Sequence, residues 1–418
     1  MTAKKELLGS LLFAWGANSY GQLGLGHKED VLLPVRVTQG LASIGNIKCL
    51  VGGGGHSAII TESGELLLCG HNSKGQLGMG HKQEVLYFCP SLQGRIVVQV
   101  ACGWDFTLIL TDDRTIWTCG SNAFGQLGLP QHLGESTLPL PIKTLNGKAV
   151  EIAAGLRHAL AVTAEKGLVF QWGVGMKSLA NRGLQTLPVP AFMSAREPCE
   201  VPGFGHVKVK HVSAGAYHSA CITDQGWLFV WGSNKYGQLL SSDDFLPLPF
   251  FIQPHHFEGE KITLVRSGWT HIVARTERGQ VYTWGRADYG QLGRKIKSTQ
   301  DSMCKSNVIQ SRFTPEKVPE LTGASQITCG SEHSLAAVGD SILSWGWNEH
   351  GMCGDGTEVN ISEPRQISFF RNYIPAAIGT GAGHSMVLCR SAGQSGGDFK
   401  ACPEEQAVCQ GNPETATT

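Results

Sequence analysis

Apolar positions along the chain come in short runs, dense in β-branched and aliphatic side chains and cut by glycine-containing polar turns. Ala58-Ile59-Ile60 is followed by Glu62-Ser63-Gly64 and then Leu66-Leu67-Leu68; Ala220 to Ile222, Asp224-Gln225-Gly226 and Trp227 to Val230 repeat the arrangement. Each such set predicts a β-hairpin. No run approaches the roughly 20 apolar residues that a membrane-spanning helix needs, so membrane insertion is not expected.

The hairpins recur with a fixed frame. Trp15-Gly16-Ala17-Asn18 leading to Gly21-Gln22-Leu23-Gly24 returns from Cys69, Cys119, Trp231, Trp284 and Trp345, with a degenerate copy at Trp172-Gly173. A second motif interleaves with it: glycine, two variable residues, histidine. It supplies His56, His158, His218, His271, His333 and His384, with Phe106 at the seventh place. The segment from this position to the next Trp or Cys of the first motif is nearly constant in length, as from His56 to Cys69 and from His271 to Trp284, whereas the remaining stretch varies. Insertions fall at 176–205 and 294–320.

A period of about 50 residues with four short strands is the sequence form of a propeller blade, which buries its faces only against neighbouring blades. The first Trp-Gly strand, Leu11 to Trp15, has no histidine motif before it, and the last histidine motif, Gly381 to His384, has no Trp-Gly strand after it. The expected fold is therefore all-β, a seven-bladed propeller over residues 10–390, closed by pairing of the N- and C-terminal strands. Residues 391–418, rich in Gly, Pro, Glu and Thr, are expected to be a disordered tail.

Composition narrows the chemistry. Glycine accounts for 54 of 418 residues, as a turn-rich repeat requires, and 34 basic residues balance 34 acidic ones. Without a basic surplus a nucleic-acid surface is not expected. Thirteen cysteines with no CxxC pair favour reduced thiols and argue against a zinc site. The six histidines are spread by the repeat around a ring, so hydrogen bonding and packing inside each blade is expected of them, and no metal or other cofactor. The Asn and Gln of the NxxGQLG turns are expected to bond to backbone. Gly393 to Gly397 matches GxSxG without the strand and helix that a nucleophile elbow needs, and Gly52 to Gly55 lacks the Gly-Lys-Ser/Thr of a phosphate loop. Arg294, Lys295, Lys297 and Lys305 read as a solvated basic loop. Only Trp104 and Trp269 of the ten tryptophans stand outside apparent strand or Trp-Gly positions, too few for a light-sensing array.

The WGxNxxGQLG turns interleaved with GxxH motifs resemble the regulator-of-chromosome-condensation repeat family, over roughly residues 10 to 390. That resemblance implies a seven-bladed propeller and, for the founding member, guanine nucleotide exchange on a small GTPase; other members are binding scaffolds. It also implies a wedge of extra residues interrupting an early Trp-Gly-type turn. Here the turn from Cys119 to Gly128 has no insertion, and the only heavily altered turn begins at Trp172. The compact chain is most similar to a secretion-linked branch of the family. Its implied partners are a small GTPase or secretory-machinery protein, with a non-catalytic scaffold as the alternative. A monomer in the cytoplasm, with the nucleus as a second compartment, is the corresponding expectation.

The variable pairs between Gly and His should converge at one end of the ring. They place Trp104 and Asp105, Arg157, Tyr217, Trp269 and Glu332 on a candidate partner face, aromatic and arginine side chains being the usual interface anchors. No bond-making active site is visible. Asp105 and Glu332 are candidates to pair with a phosphate-loop lysine freed when nucleotide leaves, and Trp104, Tyr217 and Trp269 to hold a switch region.

Overall fold

The computed structural model describes residues 10–41, 46–130, 132–145, 147–184, 188–296 and 313–391. They form seven four-stranded antiparallel sheets. The strands of blade 1 are Ile47–Gly52, His56–Thr61, Leu66–Gly70 and Val85–Ser91, counted from the central axis outward. Blades 2 to 6 repeat this order, beginning at Val97, Ala149, Val209, Ile262 and Gln326. Blade 7 takes its inner strands, Tyr373–Thr380 and His384–Ser391, from the end of the chain and its outer ones, Leu11–Gly16 and Val31–Arg36, from the start. Six consecutive pairs, from Leu11 opposite Cys389 to Gly16 opposite His384, join the two ends. The expected closure is present, and it gives blade 7 the same four strands as the others. Ser391 still belongs to a strand; the proposed tail beyond it lies outside the described residues.

Second and third strands are buried on both faces, as in His56–Thr61 and Leu66–Gly70, because each lies between two neighbouring blades. That explains their continuous apolar runs. Fourth strands are more exposed, and in blade 1 the buried Phe88 marks the inward face. Ile59, Leu67 and Phe88 of blade 1 share a core with Leu12, Ala14 and Met386 of blade 7, and every other blade contact is built in the same way.

The histidines act between blades, which corrects the expectation that each serves its own. His384 Nε2 lies 2.7 Å from Ser57 Oγ, and Ser57 Oγ–H donates to the Gln22 carbonyl at 2.6 Å. The serine proton being committed, the imidazole must donate from Nε2. His56 meets Thr107, His158 meets Ser219, His271 meets Ser334 and His333 meets Ser385 in the same register, at 2.9 to 3.1 Å, always one blade onward. The physical reason is the close seat of the ring: a Cβ on Gly53 would stand 2.5 Å from the His56 ring and 2.6 Å from the Gly103 carbonyl of blade 2. The imidazole is thus pressed against the blade boundary. Where blade 2 carries Phe106, the facing residue of blade 3 is Ala159, so the apolar exchange is matched. Where blade 5 presents Ile272, both ring nitrogens of His218 are left without a protein partner.

The Trp of each Trp-Gly motif completes this boundary. Trp172, Trp284 and Trp345 donate their indole N–H to the carbonyl of Gln126, Gln238 and Gln291 in the preceding blade, and Trp15 does so to Met352 across the closure. In blades 1 and 2 the thiols of Cys69 and Cys119 take the indole's place at the Gln22 and Gln76 carbonyls. The turn amides behave as expected: Asn18 Oδ1 accepts from Leu23 N–H and Gln22 Oε1 from Tyr20 N–H, and the asparagine bond is repeated at Asn72, Asn122 and Asn234.

The insertion at 176–205 is ordered where described. It forms helix α1 (Lys177–Leu184), a short helix α2 (Ala191–Ser194) and the outer strand Cys199–Glu200 of blade 3. Ala180, Leu184, Phe192 and Met193 pack with Trp231 and Phe245 of blade 4, filling the gap left by the missing turn. Of the other insertion and its basic cluster, Arg294 pairs with Glu316 and Lys295 with Glu363, while Lys297 and Lys305 lie outside the described residues.

Candidate functional site

The GxxH loops meet at one end of the ring and hydrogen-bond to one another. Gly54 N–H donates to Gly103 O, Ala216 to Trp269, Trp269 to Ser331, Ser331 to Ala382 and Ala382 to Gly53. Backbones this close leave only a narrow mouth. Trp104 of blade 2 and Trp269 of blade 5 reach across it, their ring centroids 5.5 Å apart, and so two blades three steps apart around the ring are bridged. Trp104 keeps 42% of its surface exposed while Trp269 is half-buried. An aromatic pair of this kind is a large, rigid apolar anchor at the centre of a polar face.

The other sequence-chosen residues surround this pair unequally. Asp105, half-buried, accepts from Gln126 Nε2 at 3.2 Å. Arg157 stacks its guanidinium over the Phe124 ring, 4.2 Å from its centroid. With Tyr217 it borders a cavity of about 500 Å³ whose far wall is α1, through Lys177 and Arg182. Among the described residues, no acidic side chain lines that cavity. Glu332 differs from the rest. Only 5% of it is exposed, and its carboxylate accepts from Thr270 Oγ1 at 2.6 Å and Gln291 Nε2 at 2.8 Å. Burial holds its carboxyl above the ordinary range, against the pull of those donors. Glu332 therefore ties the loops of blades 5 and 6 together beneath the face rather than standing on it.

The face also carries a ring of aromatic and cationic side chains that the pairwise reading passed over. Tyr20 stacks on His71 at 4.1 Å, Arg286 lies over both Tyr236 and Tyr289 at 4.8 and 4.6 Å, and Tyr289 neighbours Trp347. They belong to the same end because the residue after the Trp-Gly or Cys-Gly pair, in every blade but the third, donates its N–H to the GxxH loop, as His71 does to Gly55, Arg286 to Thr270 and Trp347 to Glu332. The signal was available: the residue before GQL is aromatic at Tyr20, Phe124, Tyr236 and Tyr289. Six imidazoles at the blade boundaries are fully buried, and among the described residues no group of three or more His, Cys, Asp or Glu converges as metal ligands. No helix is long and apolar enough to cross a membrane, among the described residues.

Comparison with known proteins agrees with this geometry. The model of the RCC1-like domain matches residues 11–387. The secretion-regulating guanine nucleotide exchange factor of Bos taurus is 53% identical over 388 residues, covering 91% of this chain and 83% of that one. Its counterpart from Mus musculus is 50% identical over 395 residues, covering 91% and 84%. Among solved structures, Prp20p of Saccharomyces cerevisiae, described together with its binding to Gsp1p and histones, superposes with a TM-score of 0.77 at 22% identity, covering 92% of each chain. Human WBSCR16 gives 0.75 at 24% identity, covering 92% of this chain and 99% of that one. Those two likenesses speak for the fold. With seven complete blades, both repeat motifs in register and a family match spanning the whole ring, the chain belongs to the RCC1-like domain family.

Proposed function

We propose that the protein is a guanine nucleotide exchange factor for a small GTPase, engaging it through the GxxH end of the ring. The observation that carries this reading is the Trp104–Trp269 pair at the mouth, flanked by Asp105 and by the basic wall of Arg157, Lys177 and Arg182. The name of the relatives at 50 to 53% identity supports exchange and a link to secretion.

Exchange of this kind makes and breaks no covalent bond. A GTPase grips nucleotide through its phosphate loop and magnesium, and an exchange factor lowers the free energy of the emptied form by offering other contacts. The tryptophans would hold an apolar switch segment. Asp105 would meet the phosphate-loop lysine, a role Glu332 serves only indirectly by fixing the loops that carry Trp269. Helix α1 stands at the rim of this face in place of the altered Trp172 turn, which makes it the candidate wedge. The protein would act as a monomer in the cytoplasm and, as a second compartment, the nucleus.

The test is release of labelled GDP from purified small GTPases at catalytic amounts of the protein. Trp104→Ala or Trp269→Ala should weaken partner binding by about 2 kcal/mol or more, since a central aromatic anchor is lost while the blade behind it stays folded. Asp105→Asn should slow release far more than it weakens binding, because the carboxylate acts only as the phosphate loop empties. The second reading, a scaffold binding secretory or signalling proteins by the same face, is favoured by the uninterrupted Cys119 to Gly128 turn. It holds if partners bind, the tryptophan variants lose them, and no GTPase releases GDP faster.

A further inference from the structure

The mouth plugged by Trp104 and Trp269 is the narrow end of a funnel. Below the plug a space of about 100 Å³, walled by the GxxH glycines, shares Cys102, Ala154, Ala214, Cys329 and Thr380 with a wider cavity of about 470 Å³. That cavity is bounded by the starts of the innermost strands and opens on the opposite face. The repeat would make such a wall small and neutral: the positions equivalent to Arg266 are Val51, Ala101, Ala153, Ser213, Thr328 and Gly379. Arg266 is an exception within this otherwise small, uncharged belt.

Its setting is built. Glu151 of blade 3 accepts a hydrogen bond from His211 Nδ1–H of blade 4 at 2.7 Å, which leaves His211 Nε2, 3.2 Å from the Val265 carbonyl, with its lone pair for Arg266 of blade 5. Arg266 Nη1–H donates there at 2.6 Å, and Nη1 also lies 3.3 Å from the Val265 carbonyl. Three consecutive blades thus hold one guanidinium by one edge. The side chain lines the cavity, and among the described residues its Nη2 and Nε meet no protein acceptor. Burial lowers the Arg266 guanidinium from its ordinary value, so the charge is costly where it stands and touches no carboxylate directly. Arg275 and Lys48 line the same cavity, and Glu151, already engaged, is the only acid among the described residues that does so.

We propose that this cavity is a binding site for a compact oxyanion, a phosphate or carboxylate group held by the free edge of Arg266 with Arg275 and Lys48 around it. A planar guanidinium offers two parallel N–H donors to two oxygens of one such group, and an anion there would give the charge a direct partner where Glu151 reaches it only through His211. The funnel closes at the tryptophan plug, so ligand enters and leaves by the wide face. The site is independent of the proposed exchange face and stands whether or not exchange occurs.

Calorimetric titration of the full chain with pyrophosphate, and separately with citrate, tests it and tells phosphate from carboxylate. Saturable binding of one anion per chain is expected for at least one of the two. It should weaken by roughly 10-fold or more in Arg266→Gln and several-fold in Lys48→Gln, and stay unchanged in Trp104→Ala. Lys48 lies at the exposed rim, so its variant keeps the experiment decisive even if Arg266→Gln does not fold. A crystal soaked with selenate should show one anomalous peak beside Arg266. Neither anion binding at about 1 mM, binding untouched in both cavity variants, or selenate bound only elsewhere would each overturn the proposal.

Discussion

A single histidine position carries the inter-blade bond, and its variants around the ring form a natural mutation series. His333 donates to Ser385, whose hydroxyl donates on to the Met352 carbonyl that also receives the Trp15 indole. His333→Phe strands that chain and should cost roughly 1 to 3 kcal/mol of stability. His218 has no such partner, so His218→Phe should stay within about 1 kcal/mol of the parent. Denaturant midpoints of the two variants check the contrast. Burial drives His56, His218, His271 and His333 down to about 3 and His158 and His384 to about 4. The unfolded chain binds these protons near pH ~6.5 and the native chain does not. Between those values the unfolded state holds more protons, so this contribution is complete above pH ~6.5 and is lost as pH falls toward ~4. Each histidine should add up to ~1.4 kcal/mol per pH unit to that slope. Urea titrations from neutral pH to about pH 4.5 should show it, reduced by one proton in any single His→Phe variant.

Among elements, the strand Leu11–Gly16 has the largest consequence for its size, since it pairs with His384–Ser391 on one side and Val31–Arg36 on the other. Its Trp15 is fully buried against Phe370 of the short helical turn that precedes blade 7. Trp15→Ala should cost about 3 to 5 kcal/mol by the cavity it leaves. Deleting Met1 through Gly16 should destabilise the ring severely; a truncated protein with an unchanged melting temperature would defeat the closure argument. Helix α1 shows what a repeat does when its turn sequence fails. Trp172-Gly173 lacks the NxxGQLG that follows elsewhere, and Met176, Ala180 and Leu184 rebuild the boundary with blade 4 by packing, while the Trp231 indole donates to the Gln171 side chain where other blades offer a turn carbonyl.

Across the whole molecule the ring is one cooperative body, because each blade buries both faces on its neighbours and blade 7 needs both ends of the chain. Every blade is complete by Ser391. Removing residues 392–418 should therefore leave the thermal midpoint essentially unchanged, which differential scanning calorimetry would show. Charge belongs to this scale as well. With 34 basic against 34 acidic residues the surface offers no overall attraction to polyanions, and the protein should elute from a DNA column at or below physiological salt. Retention there would contradict the charge argument.

The linear order of residues was enough to determine the architecture: short apolar runs paired across polar turns, glycine at fixed offsets and a near-constant histidine-to-tryptophan spacing admit one repeated unit, and the unmatched motifs at the two ends admit one way to close it. It was enough, too, to place Trp104 and Trp269 at the same mouth, because a rigid hairpin carries equivalent positions to equivalent places. Tertiary structure decided what those positions do. Glu332 reads like Asp105 in the sequence, yet the neighbouring blade supplies Thr270 and Gln291 and takes it below the surface. The histidines look like internal braces of a blade and are clasps to the next one. Glu151, His211 and Arg266 come from three different repeats and carry no motif, and only the wrapping of successive blades around one axis brings them into contact. Repetition makes backbone placement readable from the chain, whereas the partners of a side chain at a blade boundary come from a different repeat and are fixed only when the ring closes.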